Sequence, residues 1–324
     1  MEMSSFSLNF TSKKRSNLES FLQSVTPIVP SKPLPRSNMD DQSSMWISNG
    51  DKYFKLGDLW NCYEEWSSYG VGAPIRLKDD DDDENVIQYY SPYLSAIQIY
   101  TIRSLSSPIR NSSSGSHDVD FEMESWSDAS ESSGKLSRSL SNNSVSADSS
   151  FESGASRDRL GCLYFQYSET CSPFWRIPFS DKIIEFAQNF PGLVTLKSTD
   201  LSAASWMAVA WYPIYHVPMK GITKNVSTSF LTYHTLSSSF QDAVEEKIDG
   251  ERKGGSGIRL SPFGLAAYRM QNDLWLNTNT PKDYETLIDL QSAADSWLKQ
   301  LSYSHHDFNF FTAHSNMEPA GYSL

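Results

Sequence analysis

The stretch Val86-Ile87-Gln88-Tyr89-Tyr90-Ser91-Pro92-Tyr93-Leu94-Ser95-Ala96-Ile97-Gln98-Ile99-Tyr100-Thr101-Ile102 decides the fold. It is dense in β-branched and aromatic side chains, the types that suit a pleated, half-buried surface. Ser91-Pro92 interrupts the run. The spacing therefore predicts two strands, Val86 to Tyr90 and Tyr93 to Ile102, with a helix as the alternative for the second. Just upstream, Asp79 to Asp83 and Glu84 form an acidic run. Calcium coordination of the EF-hand kind fails there, because Glu84 stands where a glycine is required and Tyr90 where a bidentate Glu is required. A solvated hairpin loop is the expectation.

Downstream the composition changes sharply. Of the 54 residues from Ser104 to Arg157, 21 are serine and few are aromatic, so the segment lacks the apolar surface to offset its ordering entropy. Strand character resumes at Leu160 to Gln166. Pairing it with 93–102 makes the serine segment one long hairpin loop, at a closure cost that grows only logarithmically with length.

Helices are expected around this centre. Ser16-Asn17-Leu18-Glu19 has capping-box spacing, with Leu18, Phe21, Leu22 and Val25 on one face and Pro27 as terminator. Pro27 to Pro35 reads as an extended connector. Asp58 to Tyr69, with Asp58 as N-cap and Gly70 as stop, carries the core stripe Leu59, Trp60, Tyr63 and Trp66. Ser180 to Asn189 turns Ile183, Ile184, Phe186 and Ala187 inward. Asp283 to Leu301 aligns Tyr284, Leu287, Ile288, Ala294, Trp297, Leu298 and Leu301. Further strands are expected over Trp206 to Val217, with a bulge or sheet edge at Pro213, over Thr228 to Leu236, and over Leu265 to Met270. A polar glycine-rich loop spans 249–257. Neighbouring strands with helices toward the ends give an α+β fold around an antiparallel sheet. The chain divides into a tail over 1–15, one discontinuous folded domain over 16–103 and 158–312, a disordered insertion over 104–157, and a tail over 313–324.

The formal net charge is −12. The acidic run and the serine segment, with eight acids against four bases, account for ten of those charges. The remaining body is nearly neutral and has no basic stripe, which argues against nucleic-acid binding. Mean hydropathy is −0.46, yet 13% of residues are aromatic, so apolar side chains gather in the folded stretches. Three cysteines without a CxxC pair, no secretory signal and no apolar run of membrane-spanning length point to cytosol or nucleus.

Several strings resemble a plant-specific family known as domain of unknown function 789. They are Ser16-Asn17-Leu18-Glu19 with Phe21-Leu22, Asp58-Leu59-Trp60, Glu65-Trp66, Tyr69-Gly70, Gln88-Tyr89-Tyr90 and Pro92-Tyr93-Leu94-Ser95-Ala96-Ile97-Gln98. The most specific are Val209-Ala210-Trp211-Tyr212-Pro213-Ile214-Tyr215 and Phe230-Leu231-Thr232-Tyr233-His234. Occurring in order, they span most of the chain from 16 to about 311. The resemblance implies a plant protein and no particular activity. His216 stands where it implies a basic residue, often Arg.

Chemical signatures are sparse. Gly254-Gly255-Ser256-Gly257-Ile258 departs from a nucleophile elbow at its last position, and no phosphate-binding glycine motif is present. No cofactor is expected. His305, His306, Asp307 and His314 offer metal-ligand chemistry, but adjacent histidines diverge, and polar turn residues after a helix are the simpler reading. Cys62 reads as a small buried hydrophobe, and His234 as a satisfied core or edge histidine. The sharpest string is Arg103-Ser104-Leu105-Ser106-Ser107-Pro108, the pattern 14-3-3 proteins read once Ser106 is phosphorylated. A weaker copy, Arg138-Ser139-Leu140-Ser141, lacks the proline. Its Ser141 lies 35 residues from Ser106, roughly 30 Å of flexible chain, which suits both grooves of a dimeric reader. The expected function is a non-enzymatic regulatory or interaction protein. The alternative is an enzyme or small-molecule binder whose pocket gathers Tyr212, His216, His234 and Arg269.

Overall fold

A computed structural model describes residues 15–34, 52–76, 85–102, 160–214, 228–240, 257–270, 272–276 and 282–314. All of these residues belong to one compact unit. The helices are α1 (Asn17–Ser24), α2 (Leu56–Tyr69), α3 (Phe179–Asn189), α4 (Gly192–Thr195), α5 (Asn272–Trp275), α6 (Lys282–Gln300) and α7 (His306–Ala313). The strands are β1 (Ile28–Pro30), β2 (Lys32–Pro33), β3 (Lys52–Tyr53), β4 (Val71–Arg76), β5 (Asn85–Thr101), β6 (Cys162–Ser168), β7 (Trp206–Pro213), β8 (Ser229–Thr235), β9 (Gly257–Arg259) and β10 (Gly264–Tyr268). The fold is α+β, built on an antiparallel six-stranded sheet ordered β10-β8-β7-β5-β4, with β6 also paired to β5.

The two strands expected across Ser91-Pro92 are one strand of 17 residues. One edge of β5 pairs with β7 through 90–98. The other pairs with β4 through 85–90 and then with β6 through 96–101. Proline survives mid-strand because of that handover. The Tyr89 carbonyl accepts the Ile214 N–H on the β7 side, so backbone alternation aims the Pro92 nitrogen at the opposite edge. There, between β4 and β6, no described strand asks for a donor. Pairing of β6 with β5 is as the sequence suggests, and the connection between them lies outside the described residues.

Side chains alternate between two buried layers. Tyr90, Leu94, Ile97, Met207, Val209, Trp211 and Phe230 meet α1, α2 and α3 on one face. Ala96, Trp206, Ala208, Ala210, Leu231 and Tyr233 meet α6 and α7 on the other. The continuous apolar run of β7 is explained by this double cover: its first six residues are all buried. Pro213 ends β7 rather than bulging it. The register shift falls instead on β5, between Leu94 and Ala96, where Ser95 is the extra residue.

Several local expectations need correction. The helix α2 begins at Leu56 after Lys55, with Asp58 inside its first turn rather than at the cap. The Pro27 to Pro35 connector contains β1 and β2, which pair with β9 and β3; Gly257 of the expected glycine loop belongs to β9. Ile184 and Ile288 face outward, at 61% and 42% exposure. Both helices bury a narrower stripe than full amphipathic spacing suggests, because each covers only part of a sheet face.

Ser16 caps α1 as expected, its hydroxyl accepting the Glu19 N–H. Its neighbour Asn17 does more. The Asn17 side chain accepts the Arg76 N–H and donates to the carbonyls of Arg76 and Leu274, joining α1, β4 and α5. Ser16→Ala is therefore expected to cost about 1 kcal/mol. Asn17→Ala, which orphans three partly buried backbone groups, should cost roughly 2–3 kcal/mol. Equal denaturation midpoints for the two variants would contradict this ranking.

Candidate functional site

The bulge at Ser95 turns its hydroxyl into the layer beneath α7, where five polar side chains meet without solvent. Ser95, His305, Asp307, Tyr233 and Arg176 are 0%, 1%, 2%, 0% and 8% exposed. Ser95 Oγ donates to Asp307 Oδ2 at 2.5 Å and lies 2.9 Å from His305 Nε2. Tyr233 Oη lies 2.7 Å from His305 Nδ1. Arg176 donates through Nη1 and Nη2 to the two Asp307 oxygens at 2.6 and 2.7 Å, the bidentate fork that most favours an ion pair.

Proton bookkeeping fixes the direction of this chain. An ionised carboxylate only accepts, so the single Ser95 proton goes to Asp307. His305 Nε2–H then donates to Ser95, and His305 Nδ1 accepts from the Tyr233 hydroxyl. The histidine is neutral. Burial pulls its pKa down to about 4, with Asp307 opposing and Arg176 and His306 assisting. Burial alone would raise the Asp307 carboxyl, but the hydrogen bonds and charge of Arg176 hold it below its usual value. A nucleophilic serine needs the reverse order, with its proton directed at the imidazole. Ser95 is therefore a relay between a histidine donor and a carboxylate. What the cluster does is clamp Arg176.

Arg176 closes a loop that wraps the sheet edge where β5 changes partner from β4 to β6. On one side Arg176 meets Asp307 under α7, its guanidinium 5.7 Å from the centre of the Tyr212 ring. Three residues on, Phe179 stacks against Tyr63 of α2 on the opposite face, with ring centroids 4.3 Å apart. The loop's beginning is held as firmly. The buried Glu169 carboxylate accepts from Tyr167 Oη and from the Thr170 and Cys171 N–H groups at 2.7, 2.9 and 2.8 Å. Arg176 Nε closes the turn on the Cys171 carbonyl. Between these anchors a short 3-10 turn, Pro173–Trp175, holds Phe174 and Trp175 at 94% and 82% exposure, with Ile177 beside them at 43%.

The residues singled out from sequence do not converge. Tyr212 joins the Arg176 side, and burial raises its pKa. His234 is sealed on the other sheet face. Trp211 Nε1–H donates to Thr232 Oγ1, which lies 2.9 Å from His234 Nε2, while His234 Nδ1 lies 2.9 Å from the Leu260 carbonyl. Burial holds this histidine's pKa down to about 4. Arg269 follows β10 with φ +53°, its guanidinium 5.1 Å from the Tyr268 ring centre. His216, Arg103, Ser106, Pro108, Arg138 and Ser141 lie outside the described residues. Cys62 is half-buried, and burial pushes its thiol up to about 11.

His305 and Asp307, expected as polar turn residues, are interior. His305 precedes α7, while Asp307 lies on its buried stripe with Phe308 and Phe311. The spacing of Asp307 and Phe311, one helical turn apart, is the signal that could have placed the carboxylate inward. His306 lies at the rim, its side chain 57% exposed and its Nδ1 3.4 Å from Asp307 Oδ1. No group of three or more His, Cys, Asp or Glu among the described residues is placed to hold a metal ion, and no described helix is long and apolar enough to cross a membrane.

A family described as a protein of unknown function (DUF789) matches residues 16–311. The chain belongs to that family. The match takes in β5, the wrapped loop and every member of the buried cluster, so the clamp lies within the family domain. No curated protein and no solved structure matches the chain.

Proposed function

We propose that this member of the family is a non-enzymatic regulatory interaction protein: a rigid aromatic-rich body, 16–103 with 158–312, carrying the serine-rich segment 104–157 as a phosphorylatable loop. The observation that carries the reading is the direction of the buried chain from Tyr233 through His305 and Ser95 to Asp307. The polar cluster of this face is closed to solvent and ordered to hold an arginine, not to attack a substrate. The loop supplies the regulated element. Phosphorylated Ser106, with Arg103 ahead and Pro108 behind, offers the charge and acceptor oxygens that an arginine-lined 14-3-3 groove clamps. Ser141 beside Arg138 adds a second, weaker foothold and a bivalency gain. Such a partner places the protein in the cytosol or nucleus.

Affinity purification from the tissue that expresses the protein, with phosphosite mapping, tests this. Wild type should carry phosphate on Ser106 and recover a 14-3-3 protein that Ser106→Ala loses. An unmodified Ser106 with an unchanged partner set would remove the regulatory loop from the reading.

A further inference from the structure

We infer that the sheet face formed by β4 and the first half of β5 is a docking surface for a partner protein's amphipathic helix, one whose apolar stripe is flanked by Lys and Arg. The inference rests on the interaction reading and adds to the loop a surface on the folded body. Gly72 pairs with Tyr89 and Pro74 with Ile87. Alternation sets these four opposite the buried Val71, Ala73, Ile75 and Tyr90, on the face that α6 and α7 cover farther along the sheet. That cover fades toward β4. Phe311 of α7 reaches the Tyr212 ring, and Tyr212 reaches Tyr93, at centroid distances of 6.4 and 5.8 Å; both tyrosines are half-buried. Beyond them Tyr89, Ile214 and Ile87 are 39%, 40% and 55% exposed. The patch is continuous: the Ile214 N–H donates to the Tyr89 carbonyl. A Cβ at Gly72 would stand 2.9 Å from Ile87 Cγ2 and 3.3 Å from Tyr89 Cε1, so the glycine lets both side chains lie flat across β4.

The backbone decides the shape of the occupant. An added strand would need the free edge of β4, and that edge is closed. The Arg76 N–H and carbonyl are both taken by Asn17, and Pro74, two residues back on the same edge, has no N–H to give. What remains open is the face. Apolar sheet faces are covered by a packed helix or a second sheet, and helices already cover the rest of this one. Two strands spaced ~4.8 Å apart present about the width of one helix.

Charge decides its chemistry. Arg76 and Asn85 are the last Cα partners of the β4–β5 pair, and residues 77–84 connect them. Chain length alone therefore keeps every residue of that connection within about 14 Å of the strand ends. From 76 to 84 the sequence holds six acids, Asp79 to Asp83 and Glu84, against two bases, Arg76 and Lys78, a net −4 even if both bases are paired within it. That field lies within about one or two screening lengths of Pro74 and Ile87. It favours Lys and Arg beside the partner's apolar stripe and disfavours phosphate backbones. A lipid surface is disfavoured too, because interfacial binding draws on basic side chains. A second copy docking here about a two-fold axis would bring a second acidic connection to the same interface, with no basic patch to answer it.

The test titrates the full chain with a fluorescent helix of about 14 residues, a Leu stripe between Lys flanks, roughly as long as β4. It should bind. A Leu stripe between Glu flanks, and a scrambled Leu–Lys peptide without a stripe, should not. Ile87→Ser with Tyr89→Ser should weaken the Lys probe at least about tenfold. Asp81→Lys with Asp82→Lys, which leaves the sheet untouched, should weaken it at low salt and by less at high salt. Binding of either control peptide, or wild-type affinity in both variants, overturns the proposal. So does sedimentation with phosphatidylcholine vesicles, or a concentration-dependent dimer, that the Ile87 and Tyr89 changes abolish. Probe binding that emerges only after Val217→Ser, Met219→Ser and Ile222→Ser would give the face to the chain's own 215–227 segment and overturn it equally. Loss of a 14-3-3 partner by Ser106→Ala with no probe binding would sink this surface and leave the interaction reading standing. Probe binding with Ser106 unmodified would support the surface and remove the regulatory loop.

Discussion

Arg176→Met is expected to destabilise the folded unit by about 3–5 kcal/mol, the cost of leaving a buried carboxylate without its counter-charge. Arg176 and Asp307 side chains are only 2% and 3% exposed, so solvent screening cannot soften the loss as it does for a surface pair. Asp307 would retain only the Ser95 hydroxyl as a close donor, together with His306 Nδ1 at 3.4 Å. Its pKa, now held low by Arg176, should rise as burial takes over. Replacing both partners should undo most of the damage: Arg176→Met with Asp307→Leu substitutes apolar packing for the ion pair. Without the carboxylate one hydroxyl proton of the remaining chain has no acceptor, on Ser95 as the chain stands or on Tyr233 if it reverses, so the double variant recovers most of the loss and not all of it. Denaturant titrations of wild type, both single variants and the double variant form a cycle, and a coupling of at least about 2 kcal/mol is expected. Additive single effects would mean that the two side chains stabilise the fold independently and that the loop is not clamped.

The sheet was legible in the sequence because its signals are local. Clusters of Val, Ile and Tyr marked β5, Ser16 marked the start of α1, and Gly70, with φ +79°, marked the end of α2. The length of β5 was not legible. A proline inside a strand ordinarily breaks its ladder, and Pro92 is tolerated only because β4 stops and β6 starts on that edge, a fact of three-strand topology. The clamp was hidden for a related reason. Ser95, Arg176, Tyr233 and the His305–Asp307 pair come from four separate parts of the chain, and no spacing rule connects those parts. Even so, two clues lay in the sequence. Arg176 is the sole charge between Thr170 and Ser180, and Asp307 shares helical spacing with Phe311. A charge embedded in an apolar context is a request for a buried partner. Finding which residue answers it requires the fold.

Stability should fall by about 4 kcal/mol between pH 7 and pH 5, because two histidines are held neutral inside the protein. His305 and His234 have pKa values pulled down to about 4, each chiefly by burial, against roughly 6.5 in an unfolded chain. Between those values the unfolded state binds two protons that the folded state does not, so stability rises with pH across the window and is lost on acidification. At the steepest part the slope approaches two protons, about 2.7 kcal/mol per pH unit. Groups facing His305 act in both directions: Asp307 favours its protonation, while Arg176 and His306 oppose it. For His234 the Leu260 carbonyl favours the charged form but does not overcome burial. Carboxylates complicate the picture only at lower pH. Asp307 and Glu169 have lowered pKa values, so their contribution is present above the usual carboxylate range and is lost only in stronger acid. Denaturant midpoints between pH 5 and 7 therefore isolate the histidines. His305→Gln, which keeps a donor toward Ser95 and an acceptor toward Tyr233, should halve the slope, and His234→Gln should remove the other half. A flat profile in wild type would show that water reaches both rings, and the sealed cluster would then have to be reconsidered as a site open to ligands.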